Sequence, residues 1–515
     1  MLTVTGPGGQ LCDGISRREV LRVGGLSLGG LTLPLWNLAE SARLRGAERE
    51  AGAPSGGTDG AGGTDGAGGT DGAGGTDGAG GTGEGRLPGF ATAENVIFVY
   101  LQGAPSHIDL WDPKPEAPAE IRGEFRAIET AVPGVRVGEV LPRLAEQAGH
   151  YTLVRSVGCK PPGLPNHGSA IYMLMTGHDP GNFSPTGLAV PPSREDLPGV
   201  GAVISRFRPA IAGGVSNVAV CGPTKEAAVV GLGQGAGLLG ATHDPLTNYE
   251  DPTRPINLET FSLAGGMTVE RLQRRVELEQ RLADQASGGA RGRAWSDQRR
   301  LALSLLQQSA TIEAFRLERE SVAVRARYGA TRFGQSCLLA RRLVEAGTRF
   351  VQVTWPARSD DEPAAGPDGS WDTHRNNFPM LRDHRCPVFD AGLAALVADL
   401  HERGLLARTL VVAVGEFGRS PKIGAATTNN VGPGGRDHWP DCYTALVAGG
   451  GVQGGRVYGE SDRFGAYPKS TPVHPYDLLS TLFHAVGVDP GTEYHDTLNR
   501  PRRLVDHGGP LLGLF

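Results

Sequence analysis

Thr409-Leu-Val-Val-Ala-Val-Gly-Glu-Phe-Gly-Arg419 is a short apolar run that ends in a carboxylate and a guanidinium. A run without alternation of polar residues is the pattern of a strand covered on both faces, as in a parallel sheet between helix layers. Glu416 and Arg419 then fall just beyond the strand's carboxyl end, where ligands of open α/β sheets collect. A carboxylate leaving a buried strand needs a cation or a charged partner. Gly435-Arg436-Asp437-His438-Trp439 brings an Asp-His pair about twenty residues later, so the two stretches together read as a metal or anion site.

Similar apolar runs occur at Asn95–Leu101, Thr152–Arg155, Asn217–Val220, Arg349–Thr354 and Thr444–Val447. Between them lie helical patterns. The longest are Val269–Gln285 and Ser296–Arg327, and Pro387–Arg403 places Val388, Leu393, Leu396, Val397 and Leu400 on one face before Gly404. Strands alternating with helices predict an α/β fold: a mostly parallel sheet covered by helices on both faces.

The ends of these runs carry the polar residues. After the first strand come His107 and Asp109, and after the Thr152 run come His167 and Ser169, which open an apolar helix closing at Thr176-Gly177. After the Arg349 run comes Trp371-Asp372-Thr373-His374. Neutral imidazole together with carboxylate suits zinc, manganese or iron, with calcium as a further divalent ion, while Arg419 and Lys422 suit a bound phosphate or sulfate. Simpler readings stand beside these: Asp437 as a partner of Arg436, and His107 as the donor to a loop carbonyl.

Composition narrows the field. The 515 residues carry a net charge of −5 and 39% hydrophobic residues, so no basic excess points to a nucleic-acid partner. The six cysteines are widely spaced, without the pairs of a zinc finger, and read mostly as small buried hydrophobes, although export would permit a disulfide. Ser16-Arg17-Arg18 before the Gly-rich apolar run Val23–Leu38 has the layout of a twin-arginine export signal, assigned to residues 1–42. This expectation places the protein in the periplasm or cell envelope, with the export machinery as a partner and membrane contact only through an uncleaved signal. Residues 43–92 form a Gly-rich linker expected to be disordered, with Thr-Asp-Gly-Ala-Gly-Gly repeating from Thr58, Thr64, Thr70 and Thr76. Its side chains are too small for a calcium-binding β-helical stack. Residues 93–515 are left as one α/β domain.

The set Ser16-Arg17-Arg18, Leu101-Gln-Gly-Ala-Pro-Ser-His-Ile-Asp109, Trp371-Asp-Thr-His374, Gly415-Glu-Phe-Gly-Arg419 and Gly435-Arg-Asp-His-Trp439 resembles the domain-of-unknown-function family 1501. That resemblance implies export and a core like that of the alkaline phosphatase and sulfatase superfamily. It also implies hydrolysis of phosphate or sulfate esters, small or glycan, at a divalent metal, foremost zinc. Asp372, His374 and His438 resemble metal ligands of that superfamily, with Asp437 beside them. Glu416 and Phe417 fall where the superfamily has an Asp-His pair. Gln102-Gly103 falls where it has an Asp, which leaves His107 or Asp109 to substitute. His167 falls at the nucleophile position, able to accept a phosphoryl group or to bind metal, with Ser169 as the alternative hydroxyl and Arg419 as an anion clamp. The departures leave a second expectation open: a noncatalytic envelope protein that keeps the fold for binding.

Overall fold

A computed structural model describes residues 87–515 apart from 160–164, 181–191, 211–213, 227–228, 231–232, most of 258–308, 356–369, 429–430 and 497–498. The expected export signal, linker residues 43–86 and most of the helical patterns 269–285 and 296–327 lie outside the described residues, whereas 87–92, expected as the end of the disordered linker, are ordered, with the Ala91 amide on the His484 carbonyl and the Thr92 hydroxyl on the Gly450 carbonyl. The described end of the second pattern is not one helix. Ser309–Ala314 and Val322–Arg327 are helical, with a tight turn at Leu317–Arg319 between them.

The central sheet consists of β1 (Asn95–Tyr100), β2 (Tyr151–Val157), β3 (Asn217–Val220), β4 (Leu246–Asn248), β5 (Phe350–Thr354), β6 (Thr409–Val414), β7 (Tyr443–Ala448) and β8 (Arg456–Tyr458). Their order is β8-β2-β7-β6-β1-β5-β3-β4. Neighbours run parallel except at β7, which is antiparallel to both β6 and β2. Every strand run read from the sequence is a strand here, and the sheet is mostly parallel as expected. The short edge strands β4 and β8 are partly polar and carry no comparable signal.

Five helices frame the sheet: α1 (His167–Thr176), α2 (Val200–Phe207), α3 (Arg332–Glu345), α4 (Cys386–Glu402) and α5 (Pro475–Ala485). Because strand side chains alternate between faces, Ile97, Val99, Val351, Val353, Val411 and Ala413 join one core with Leu338 and Leu343 of α3 and Leu396 and Leu400 of α4. Val96, Phe98, Tyr100, Leu410, Val412 and Val414 join a second core with Ile171 of α1, Val203 of α2 and Phe483 of α5. Full burial of each larger aliphatic or aromatic chain contributes about 1.5 to 3 kcal/mol, so a charge introduced on either face would break the layer. Cys159, Cys337, Cys386 and Cys442 are buried and free, and Cys221 is buried. Among the described residues no helix is long and apolar enough to cross a membrane.

This topology sets β1 between β6 and β5, all three running the same way. Their carboxyl ends therefore deliver Gln102, Trp355 and Gly415 to one edge of the sheet, and the polar loops gather above that edge.

Candidate metal centre

Glu416 leaves β6 completely buried. Tyr100 at the end of β1 donates its hydroxyl to Oε2 at 2.8 Å, and the Gly103 amide donates to Oε1 at 2.9 Å. Gly103 has to be glycine: its φ is 98°, and a Cβ would meet the Asp372 amide nitrogen at 2.6 Å. The chain continues through Ala104, also at positive φ. This turn points the Gly103 and Ala104 carbonyls at Arg419, which donates to both, to the Arg436 carbonyl and to Asp372.

The third partner of Glu416 is His167, whose Nδ1 lies 2.5 Å from Oε1. Asn166 caps α1 by accepting from the Ser169 amide at 3.1 Å, which fixes His167 as the first helical residue over the sheet edge. With Nδ1 on Glu416, its Nε2 turns toward Asp372 Oδ1, 3.5 Å away. Two more imidazoles repeat this pattern. His438 donates Nδ1–H to the Pro165 carbonyl at 2.6 Å, and its Nε2 lies 3.4 Å from the same Asp372 oxygen. His374 has Nδ1 3.3 Å from Asp437 Oδ1 and Nε2 2.9 Å from Asp372 Oδ1. His374 Nε2 and His438 Nε2 are 2.9 Å apart.

Three imidazoles thus aim Nε2 at one carboxylate oxygen; His167 and His438 hold Nδ1 against an oxygen acceptor, whereas His374 Nδ1 is buried beside Asp437 without a hydrogen bond. Histidine metal ligands are oriented in this way, with a carboxylate or carbonyl behind each ring. Zinc bonds of about 2.0 to 2.1 Å put neighbouring tetrahedral donors about 3.3 Å apart, and the observed 2.9 to 3.5 Å spacings straddle that value. His167 Nε2 is buried without a hydrogen-bond partner. The donor atoms of His167, Asp372 and His438 lie within 4.8 Å of one another, as do those of His374, Asp437 and His438, so a divalent cation fits either set, with His438 shared between them. The Asp372 side chain is 24% exposed whereas Glu416 and Asp437 are 0% exposed, so the inner carboxylates support and the outer one is accessible.

The electrostatics agree. Burial opposes ionisation of Asp372, yet Arg419 and the surrounding imidazoles hold its carboxyl far below the usual range. Burial also opposes ionisation of Glu416, and His167 with Tyr100 still lowers it. Burial pushes His438 down to about 4, which keeps the imidazole neutral. His167 is the exception: burial disfavours its charge, but Asp372 and Glu416 outweigh that and raise it to about 9.

Of the residues expected from sequence, Asp372, His374, His438 and His167 come together. Others are corrected. Glu416 is fully engaged by Tyr100, Gly103 and His167, so it reaches the centre only through His167. Asp437 keeps its place: its oxygens accept from the Thr427 and Thr428 amides, the Thr428 hydroxyl and the His438 amide, and it groups with His374 and His438 as a set that could hold an ion. Arg419 has its guanidinium on carbonyls and Asp372, which leaves it no geometry for clamping an anion. Asp109 is paired with Arg436 at 2.8 Å and accepts from Asn377, and His107 donates Nε2–H to the Gly465 carbonyl at 2.8 Å. Neither belongs to the His/Asp groups that could hold an ion among the described residues. Ser169 lies in the first turn of α1, one turn-edge away from His167. Tyr100 and the Pro165 carbonyl carried no sequence signal as site members. Phe417 packs its ring 4.9 Å from His167 and 4.8 Å from His438, walling the cluster on its inner side.

A family model described as "Protein of unknown function (DUF1501)" matches residues 93–515. The chain belongs to this family. No curated protein matches it. Similar solved structures include the PsFucS1 sulfatase from Pseudoalteromonas sp., at 16% identity over 78% of this chain and 68% of that one, with a TM-score of 0.35. A protein in the alkaline phosphatase superfamily from Vibrio parahaemolyticus is 11% identical over 78% and 71%, with a TM-score of 0.32. The phosphonate monoester hydrolase SpPMH from Silicibacter pomeroyi is 16% identical over 81% and 75%, with a TM-score of 0.31.

Proposed function

We propose that this DUF1501 protein is an exported, metal-dependent hydrolase of phosphate or sulfate esters. The observation that carries this reading is the convergence of His167, His374 and His438 Nε2 on Asp372 Oδ1, with the His167 and His438 rings oriented from behind. A divalent cation, zinc foremost, would serve there as a Lewis acid that offsets charge growing on an ester oxygen. The chain's own groups do the rest. Glu416 and the Pro165 carbonyl fix the His167 and His438 rings, Asp437 lies beside His374, Arg419 locks the Asp372 carboxylate, and Phe417 keeps water from the inner faces of His167 and His438. In this reading His167 binds rather than attacks, since both its nitrogens face carboxylates, and Ser169 is the hydroxyl of the same turn that remains for nucleophilic attack. Export rests on Ser16-Arg17-Arg18 and the apolar run behind it, with residues 43–92 as the spacer.

The second reading, a noncatalytic envelope binding protein, is favoured by one observation: Arg419 is wholly buried with four of its five N–H donors on its own chain, which turns it away from a transferred anion. A panel of aryl phosphate and aryl sulfate esters assayed on zinc- and manganese-loaded protein decides between them. Turnover that disappears in His374→Ala and Ser169→Ala supports the hydrolase. Loaded protein that binds metal stoichiometrically and turns over no ester supports the binding reading.

A further inference from the structure

The segment Asp462-Arg-Phe-Gly-Ala-Tyr467 forms a stiff loop at the molecular surface. Asp462 Oδ1 accepts from the Phe464 and Ala466 amides at 3.0 and 2.8 Å, and the Asp462 amide closes the loop on the Tyr467 carbonyl at 2.8 Å. Two residues from the core hold it from below: His107 through the Gly465 carbonyl, and Trp439 Nε1 through the Ala466 carbonyl at 2.6 Å. Trp439 follows His438 directly, and alternation along that short strand sends its indole away from the imidazole cluster.

Such a loop presents its side chains at little entropic cost. Tyr467 is 47% exposed, the one aromatic among the large exposed hydrophobics of the described residues, and it packs edge-on against Trp439 with ring centroids 5.7 Å apart. Arg463 lies over the Phe464 ring at 4.4 Å with its residue exposed. Next to the loop is a cavity of about 470 Å³, walled by Lys114, Arg155, Arg463 and Lys469 together with Asp112, Glu460 and Asp462. Lys114 is 2.9 Å and Arg155 3.5 Å from Asp112, and Lys469 is 3.0 Å from Glu460, so the walls have more cations than carboxylates.

We infer that this loop and cavity form a saccharide-binding subsite for a sulfated or phosphorylated glycan, separate from the metal centre. A pyranose ring has an apolar face that stacks on a tyrosine ring and an equator of hydroxyls that pairs with mixed carboxylates and cations. Arg463, the wall cation outside these ion pairs, selects anionic substituents on the sugar. A long polyanion such as nucleic acid is disfavoured by the net charge of −5 on the whole chain. The subsite goes beyond the ester-cleaving reading and does not need it.

Titration calorimetry on the full protein, with and without chelator, tests it with a sulfated dextran hexasaccharide, its neutral counterpart, inorganic sulfate and a poly-glutamate peptide. Binding of the sulfated sugar that persists with chelator, exceeds that of the other probes and weakens about tenfold in Tyr467→Ala supports the subsite. Arg463→Ala is expected to narrow the gap between the sulfated and neutral sugars. Binding untouched by Tyr467→Ala, poly-glutamate binding as tightly as the sulfated sugar, or no sugar binding at all overturns it. Loss of sugar binding on chelation alone assigns the sugar to the metal centre and likewise overturns the subsite. Both substitutions are at the surface, and an unchanged melting temperature confirms that the loop still folds.

Discussion

Glu416→Gln separates a carboxylate that orients a ligand from one that is itself a ligand. The change keeps the length of a side chain that is wholly buried and accepts from Tyr100, Gly103 and His167. An amide accepts through one oxygen only, and its NH2 group then faces donors. His167 loses its charge-assisted bond and its fixed orientation toward Asp372. Removal of a carboxylate behind a metal-bound imidazole lowers affinity by about tenfold to a hundredfold, equivalent to about 1.4 to 2.7 kcal/mol. Competition for zinc against a chromophoric chelator measures this directly, with near-ultraviolet circular dichroism as the check on folding. Tyr100→Phe, which removes one donor and leaves the carboxylate, is expected to show a smaller loss. Unchanged zinc affinity in Glu416→Gln refutes the orienting role, and abolition of binding in a folded protein refutes it in the other direction by making Glu416 a ligand.

Asp109→Asn is expected to cost about 3 to 5 kcal/mol in urea unfolding, because Arg436 then stays buried without its counter-ion. A loss below about 1 kcal/mol would contradict a structural role for that pair. Arg419→Lys is expected to lower the melting temperature and weaken metal binding together, since one ammonium cannot reproduce the fork that joins Gly103, Ala104 and Asp372. A raised KM for an ester with unchanged stability would restore the anion clamp. His107 gives a pH signature: burial lowers it from 6.5 to about 4, against a smaller opposing effect of its bond to the Gly465 carbonyl. The unfolded chain gains that proton below pH 6.5 and the folded chain only below about 4. Stability therefore falls by about 3 kcal/mol as the pH drops through that window. His107→Gln is expected to flatten that part of the stability-against-pH curve, and an unaltered slope would count against it.

The sheet was legible because each principal strand is a short, mostly apolar run, and α4 because its apolar positions recur at helical spacing. What an apolar run does not encode is direction, so β7 reads like its neighbours although it runs opposite to them. At the centre, Asp372, His374 and His438 stood out through their resemblance to metal ligands of the alkaline phosphatase and sulfatase superfamily, while Glu416 stood out as a carboxylate leaving a buried strand. The role of Glu416 did not follow from its position. Its engagement depends on Tyr100 facing the α1 layer and on the Asn166 cap placing His167 above it, contacts that span 316 and 249 residues of sequence. Arg419 was misread for a similar reason. The positive φ angles at Gly103 and Ala104 turn two carbonyls toward it, and nothing in the letters Gln-Gly-Ala-Pro announces that turn. Asp109 and His107 were suspected for lying near a strand end, whereas the short helix they occupy directs them to Arg436 and Gly465.

Metal analysis combined with X-ray absorption on protein purified without a polyhistidine tag tests the centre most directly. The expected result is stoichiometric divalent metal with imidazole scattering, diminished in His167→Ala and lost in His374→Ala and His438→Ala, while Glu416→Gln keeps the same ligand number with weaker affinity. Substoichiometric metal after loading with zinc, manganese and iron, in a protein that is folded, would contradict the centre and the hydrolase built on it.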